Sequence, residues 1–508
     1  MGVRAWFSSR DSSLAGEQGE AHRASPAPVV RGPWRRGRAF RRPASRGWQA
    51  AKAGRLFSDW RGTSTSINEE LRGQLSALRA RARELEQNSD LARRFLQLCE
   101  THVVGPQGFQ LQVRGRLRDG SPDRRNARVE SAFREWARRG VCEITGRLSF
   151  ADVQRLLIRT CARDGELLVR MHEIQPTASN PFGFALEVLD PARIDTSYNA
   201  SRDGREVRLG VELSRSGRPV AYWLLKARDV GYGTDRVRVP ADEIIHAFLP
   251  EHPEQIRGVP WMAAAMPEIH MLDAYQEAAV TAARVGASKM GFFKTPDGEG
   301  HAVADDEDDG ELITEAEPGT FGVLPKGYDF VGFEPDYPHA AYERFVKTLL
   351  HDIAAGLGVS YHALTGDLSE VNYSSARAGT LEERERWLTI QAWFREAVLR
   401  PIYLRWLSNA LLHTDLAGRL TQDEAMARYG VHEWQGRRWQ WVDPLKDIQA
   451  SITAIAAGLK SPQQVMAESG VDPEETLEQI ARFLEQARER EVPVSFAPSQ
   501  TAQETSDA

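Results

Sequence analysis

Residues able to do chemistry are plentiful in this sequence but poorly grouped. The twelve histidines are scattered over 508 residues, and none has the His–Glu–x–x–His spacing that sets two imidazoles on one helix face for zinc. His351 and His362 are separated by about three helical turns, but Gly356 and Gly358 interrupt the helix between them, so both read as surface or core histidines. His246 and His252 flank Phe248–Glu251 with no third ligand nearby. Cys99, Cys142 and Cys161 are too few for a disulfide framework and lack paired metal spacing, which points to a reducing compartment. There is no glycine-rich phosphate cradle, dinucleotide fingerprint or nucleophile elbow. Carboxylates abound, yet no spacing pairs two of them for acid–base work. Ten lie between Asp297 and Glu317 without one Lys or Arg. Asp305, Glu307, Asp309 and Gly310 imitate the start of an EF-hand loop, but its last ligand position falls on Ala316 and no helix leads in. A solvated acidic loop is the plainer reading. Trp434, Trp439 and Trp441 could stack bases, though packing in a large core is preferred. These residues yield no catalytic site, no metal site and no cofactor, so a binding or structural role outranks an enzyme.

Composition agrees. With 27% charged and 41% hydrophobic residues and a mean hydropathy of −0.46, the chain reads as soluble and globular, of about three domains. No apolar run approaches the ~18–20 residues of a membrane span. Charge is uneven: the first 60 residues carry a net +8 and the remaining 448 a net −14, for −6 overall. The Arg-, Pro-, Gly- and Ser-rich stretch within 1–60 has little to bury and reads as a disordered arm, able to touch nucleic acid or an acidic surface, or simply solvated.

The elements that must position these groups alternate in texture. Residues 67–104 predict two helices broken at Asn88–Asp90, with Ser89 or Asp90 as N-cap. Strand, helix and helix follow to a turn at Asp164–Gly165, and 182–249 alternate as β-strands. The stretch 261–290 returns to helix, its second half crowded with Ala278, Ala279, Ala282, Ala283, Gly286 and Ala287. Phe345, Leu349, Ile353 and Leu357 line one face of a helix that Gly356 and Gly358 end. Asp367–Gly379 is polar without a core pattern and reads as a loop. A long helix over 380–412 contains Pro401, which predicts a bend near 397–401. Residues 422–490 predict short helices, with starts at Ser461–Pro462 and Asp472–Pro473. The fold class is α+β.

One block is more specific. LLHDIAAGLGVSYHALTGDLSEVNYSSARAG at 349–379 resembles the lambda-like family of tailed-bacteriophage portal (head-tail connector) proteins. Similar blocks occur in the same order at 95–112, 187–196, 246–262, 318–338 and 441–475. The resemblance covers about 60–490, leaving out the basic arm, and the acidic loop 297–317 looks particular to this chain. It implies a cyclic ring, a homo-oligomer usually of about twelve subunits, at one capsid vertex. Double-stranded DNA passes through such a ring in packaging and ejection. The ring nucleates procapsid assembly with the major capsid or scaffold protein. It receives the terminase large subunit, then head-completion, connector and tail proteins. It is not an enzyme and needs no cofactor or membrane. Its place is the virion, and the host bacterial cytoplasm before assembly.

The family architecture lays a wing over 61–260, a descending stem helix over 261–290 and a clip over 291–337. An ascending stem helix follows over 338–362, a tunnel loop over 363–379, a kinked wing helix over 380–415 and a helical crown over 416–490. Segments 1–60 and 491–508 are left as disordered arm and tail. In the tunnel loop Asn372, Tyr373, Ser374, Ser375 and Arg377 would touch DNA lightly, with Asp367 and Glu370 opposing adhesion. Arg284 and Lys289 would add a weak basic ring low in the stem. The alternative for Arg284, Lys289 and Arg377 is intersubunit salt bridges. On the clip, Asp305, Asp306, Glu307, Asp308 and Asp309 would meet basic partner surfaces or only water. A second reading of the whole chain stays open: a nucleic-acid-binding structural protein acting through its basic arm.

Overall fold

A computed structural model describes residues 64–202, 204–227, 232–287, 291–294, 329–332, 341–369, 373–439, 444–468 and 473–494. All but Ser64 belong to the compact unit Thr65–Ala508. Helices α1 (Ile67–Asn88) and α2 (Asp90–Cys99) are parted at Ser89, which takes the N-cap position without a capping side-chain bond. Strand β1 (Gln110–Val113) and helix α3 (Asn126–Trp136) lead to α4 (Phe150–Asp164). A reciprocal capping box of Ser149 and Asp152 opens α4, and Gly165 in left-handed conformation closes it.

The β region forms two antiparallel sheets. Strands β2 (Leu167–Glu173), β3 (Phe184–Leu189) and β9 (Ile244–Ala247) make a sheet of order β3-β2-β9. Between β3 and β9, β4 (Ala200–Arg202), β5 (Arg205–Arg208), β6 (Val211–Leu213), β7 (Pro219–Ala227) and β8 (Tyr232–Pro240) form a meander in sequence order. Then come α5 (Met266–Ala287), the paired strands β10 (Gly291–Lys294) and β11 (Asp329–Gly332), α6 (Tyr342–Leu357), α7 (Tyr361–Thr365) and α8 (Tyr373–Phe394). A π turn at Arg395–Leu399 joins α8 to α9 (Arg400–His413). That is where the sequence predicts a bend. The extra residue of the π turn accommodates the missing N–H of Pro401 in place of a break. Last are α10 (Gln422–Tyr429), β12 (His432–Gln435), α11 (Pro444–Ala456), α12 (Pro462–Glu468) and α13 (Pro473–Glu489).

The expectation of helices alone beyond 422 is corrected by β12, which pairs antiparallel with β1 across more than 300 residues: Leu111 faces Trp434 and Val113 faces His432. Trp434 is core, within ring contact of Phe133, Phe150 and Tyr403. Trp439 packs on His102. The same aromatic core takes Trp136, whose indole donates to the Phe184 carbonyl at 2.9 Å, and Trp406, fully buried between them. One core therefore joins α3 and α4 to the late helix α9. Truncating one of these buried rings costs about 3–5 kcal/mol.

A second anchor is ionic. Glu166, fully buried at the α4–β2 turn, accepts Arg257 Nη2 at 2.6 Å, Arg257 Nε at 3.1 Å and the Gly258 N–H at 2.8 Å. Arg79 Nη2 of α1 stands 2.6 Å away in ion-pair contact, and His246 Nε2 of β9 at 3.0 Å. Burial alone would push the Glu166 carboxyl up, but the guanidiniums of Arg257 and Arg79 outweigh it and hold it well below the usual carboxylate range. A shell of Arg83, Arg163, Asp164 and Asp190 surrounds the cluster. Backbone meets backbone here: a Cβ on Gly165 would lie 2.4 Å from the Val259 carbonyl carbon, and one on Gly258 would lie 2.1 Å from the Gly165 oxygen.

Candidate functional site

Helix α5 starts as part of the core and leaves it. The Trp261 N–H donates to the Ala162 carbonyl at 3.0 Å, and Met262, Ala265, Met266, Ile269 and Leu272 are buried. Farther along, Met271 is 61% and Val280 60% exposed. At 22 residues the helix is about 33 Å long. Helix α6 returns antiparallel to it. Tyr275 stacks on Tyr342 at 5.7 Å and meets Phe345 edge-on at 5.4 Å. At the other end a Cβ on Gly356 would come within 3.2 Å of the Ala265 methyl, the close approach that glycine permits. Only the last turns of α6 are buried, through Ile353, Ala354 and Leu357, whereas Phe345 is 49% exposed. Beyond the helices, β10 and β11 form a two-stranded antiparallel ribbon with Gly291 opposite Gly332 and Lys294 opposite Asp329.

The turn from α6 into α8 is clamped at its base. Gly358 adopts φ +64° to cap α6, and Arg386 of α8 donates to the carbonyls of Leu357 and Gly358. A cation at a helix C-terminus satisfies orphan carbonyls and complements the dipole. Ser360 donates to Glu383 Oε2 at 2.6 Å, and the Trp387 indole donates to Glu383 Oε1 at 3.2 Å. Tyr361 stacks on His351 at 4.1 Å and donates to Asp367 Oδ2 at 3.0 Å. Asp367 Oδ1 accepts the Ser369 N–H at 2.9 Å and hydroxyl at 2.6 Å. Those Ser369 bonds, then the Tyr361 hydroxyl, pull the Asp367 carboxyl down to about 2, so it is an anion at neutral pH.

Asp367 thus sits between α7 and α8, and Arg284 is exposed on the last turn of α5. The loop reading of Asp367–Gly379 is corrected: α8 begins at Tyr373, so Tyr373, Ser374, Ser375 and Arg377 are helical in backbone. Their side chains, with Glu370, Asn372, Lys289 and the clip residues Asp305, Asp306, Glu307, Asp308 and Asp309, lie outside the described residues. Arg386, Glu383 and Tyr361 were missed from sequence. The only local signal was Glu383 and Arg386, three apart ahead of Trp387.

Among the described residues, no three His, Cys, Asp or Glu side chains group to hold a metal. All three cysteines are buried, and burial pushes the Cys142 thiol up to about 12. No described helix is long and apolar enough to cross a membrane.

The family model for phage portal protein, lambda family, matches residues 53–391. The chain belongs to that family. It is 33% identical to a probable portal protein of Halomonas phage phiHAP-1 over 463 residues, 88% of each chain. It is 26% identical to portal protein B of Escherichia phage lambda over 467 residues, 84% of this chain and 87% of that one. A chain from the neck of an empty gene transfer agent particle aligns with 82% of this one and 98% of its own length, at 15% identity and a TM-score of 0.43. Portal proteins are structural components of the particle.

Proposed function

We propose that this portal subunit closes into a ring, of about twelve copies, and that double-stranded DNA passes through the ring during packaging and ejection. The observation that carries the ring is the stem. Its root is welded into the core, yet Met271, Val280 and Phe345 stand 61%, 60% and 49% exposed on helices that a single subunit leaves half-covered. Apolar side chains on adjacent helices of a soluble chain call for a neighbour, and the Ala-rich second half of α5 lets neighbouring helices approach closely. A conduit must not grip its cargo, and a net −14 over residues 61–508 suits a wall that neutralises few phosphates. In this reading the ribbon β10–β11 carries the clip toward terminase and then connector and tail proteins. The turn 366–372 and the first turn of α8 line the narrow part of the channel. The acidic run 305–309 meets basic partner surfaces, and the ring nucleates assembly at one capsid vertex.

Native mass measurement with negative-stain microscopy of the purified protein tests it. Twelve chains of 56.8 kDa give roughly 680 kDa, with an axial hole. A stable dimer that binds DNA only through residues 1–60 overturns it.

A further inference from the structure

A cavity of about 710 Å³ opens on the polar face of the β1–β12 pair, walled by the π turn between α8 and α9. Its size falls in the ~300–1,000 Å³ range of ligand clefts. Four guanidiniums line it, from Arg114, Arg395, Arg400 and Arg438, against two carboxylates, Glu396 and Glu433. Two of the four are answered: Arg400 pairs with Glu396 at 3.0 Å and Arg114 with Glu433 at 3.3 Å. The other two make no close ion pair among the described residues. Among the described residues Arg395 has one long hydrogen bond, to the Trp434 carbonyl at 3.5 Å, and no ion pair reaches Arg438.

Arg395 is the first residue of the π turn. It is half-buried and lines the cavity, while Val398 and Leu399 of the same turn are fully buried in the core. Such bulges inside helices recur at functional sites. Burial, then the neighbouring Arg438 charge, disfavour the Arg395 cation and outweigh the opposing pull of Glu396 and Glu433; an arriving anion would reduce that cost.

We infer that this cavity is a docking site for an acidic peptide segment of a partner protein, two of whose carboxylates pair with Arg395 and Arg438. Each guanidinium can hold a carboxylate through two parallel hydrogen bonds. The mixed walls favour a peptide over duplex DNA. Glu396 and Glu433, 71% and 67% exposed, would repel a run of phosphates but can accept peptide N–H groups. The floor adds an amide pair, with Gln112 Nε2 donating to Gln435 Oε1 at 2.9 Å, which leaves the Gln435 amide N–H groups to donate to a peptide carbonyl.

The test is fluorescence anisotropy of the full-length protein with a labelled six-residue Asp/Glu peptide and its Asn/Gln counterpart, with a short DNA duplex and inorganic phosphate as competitors. The acidic peptide should bind and its amide counterpart should not. Arg395→Gln with Arg438→Gln should weaken binding about tenfold or more, and Arg438→Gln alone, at an exposed position, should weaken it severalfold without touching the fold. Glu396→Gln should strengthen it. Equal affinity of folded wild type and double variant overturns the inference. So does a duplex that displaces the peptide more effectively than unlabelled peptide does, which would make the cavity a phosphate site.

Discussion

Glu166 and Asp367 are both carboxylates held below their ordinary range, and they show how differently two regions of this subunit are built. At Glu166 the carboxylate is dry and is held by guanidiniums drawn from α1 and the stretch before α5, with a β-sheet histidine beside it. At Asp367 the anion is near water, held by a serine two residues on and a tyrosine six residues back. The first arrangement ties distant chain segments together; the second only shapes a turn. The sheet region around Glu166 is held by contacts between distant segments of its own chain, whereas the turn around Asp367 is held by near neighbours in sequence. A carboxylate's depressed pKa therefore says little about its structural weight until its partners' distance along the chain is known.

The largest expected effect comes from breaking the buried cluster. Glu166→Gln leaves two guanidiniums without a counter-charge and should cost about 3–5 kcal/mol of unfolding free energy in urea titration. A loss below about 1 kcal/mol, the level of an exposed pair, would erase the contrast between the regions. Next is Arg386→Gln, which uncaps the end of α6. It should cost about 1–2 kcal/mol and speed hydrogen exchange at 355–366 while leaving the wing's amides protected; uniform acceleration would show that the turn and wing unfold together. Phe345→Ala should change subunit stability by less than about 1 kcal/mol, because the ring is half-exposed, yet reduce ring closure in native mass measurements. A large loss of subunit stability without an assembly defect would mean that the stem completes itself. The smallest effect is on acid titration. Both carboxyls are depressed, so the stability each lends is present above its unfolded pKa and lost only as pH falls through the folded value. For Asp367 that value is about 2. Its side-chain carbon shift should stay constant from pH 7 to 4 in NMR, and a midpoint near 4 would show the turn's hydrogen bonds absent in solution.

Much of the helix pattern was legible in the sequence because its signals are local. The apolar stripe Phe345–Leu357 with Gly358 after it gives α6 almost to the residue, and the expected starts at Ser461–Pro462 and Asp472–Pro473 agree with helices beginning at Pro462 and Pro473. The first turns of α8 were invisible: Tyr373–Gly379 is polar on every face, and without an apolar stripe there is no helical period to read. Strand β12 is four residues long, and its partner lies more than 300 positions away, so no short-range pattern announces it. The candidate site divides likewise. The family resemblance placed Asp367 in a polar loop, but Arg386 and Glu383 look like ordinary surface charges until the fold brings α8 against the end of α6. The family blocks identified the family, which no local pattern of charge or hydrophobicity could do.

The crossing of Gly165 and Gly258 has a mechanical consequence. Helix α5 is an arm of about 33 Å clamped close to that crossing, with its far end free of the core. A sideways load at the tip arrives at the root as torque. Two backbones in direct contact have no side chain between them to deform, so the joint can neither cushion nor absorb the load. The β3-β2-β9 sheet and the ion cluster beside the crossing must take it, and a push at the distal end of α5 is felt there as rotation rather than lost in bending.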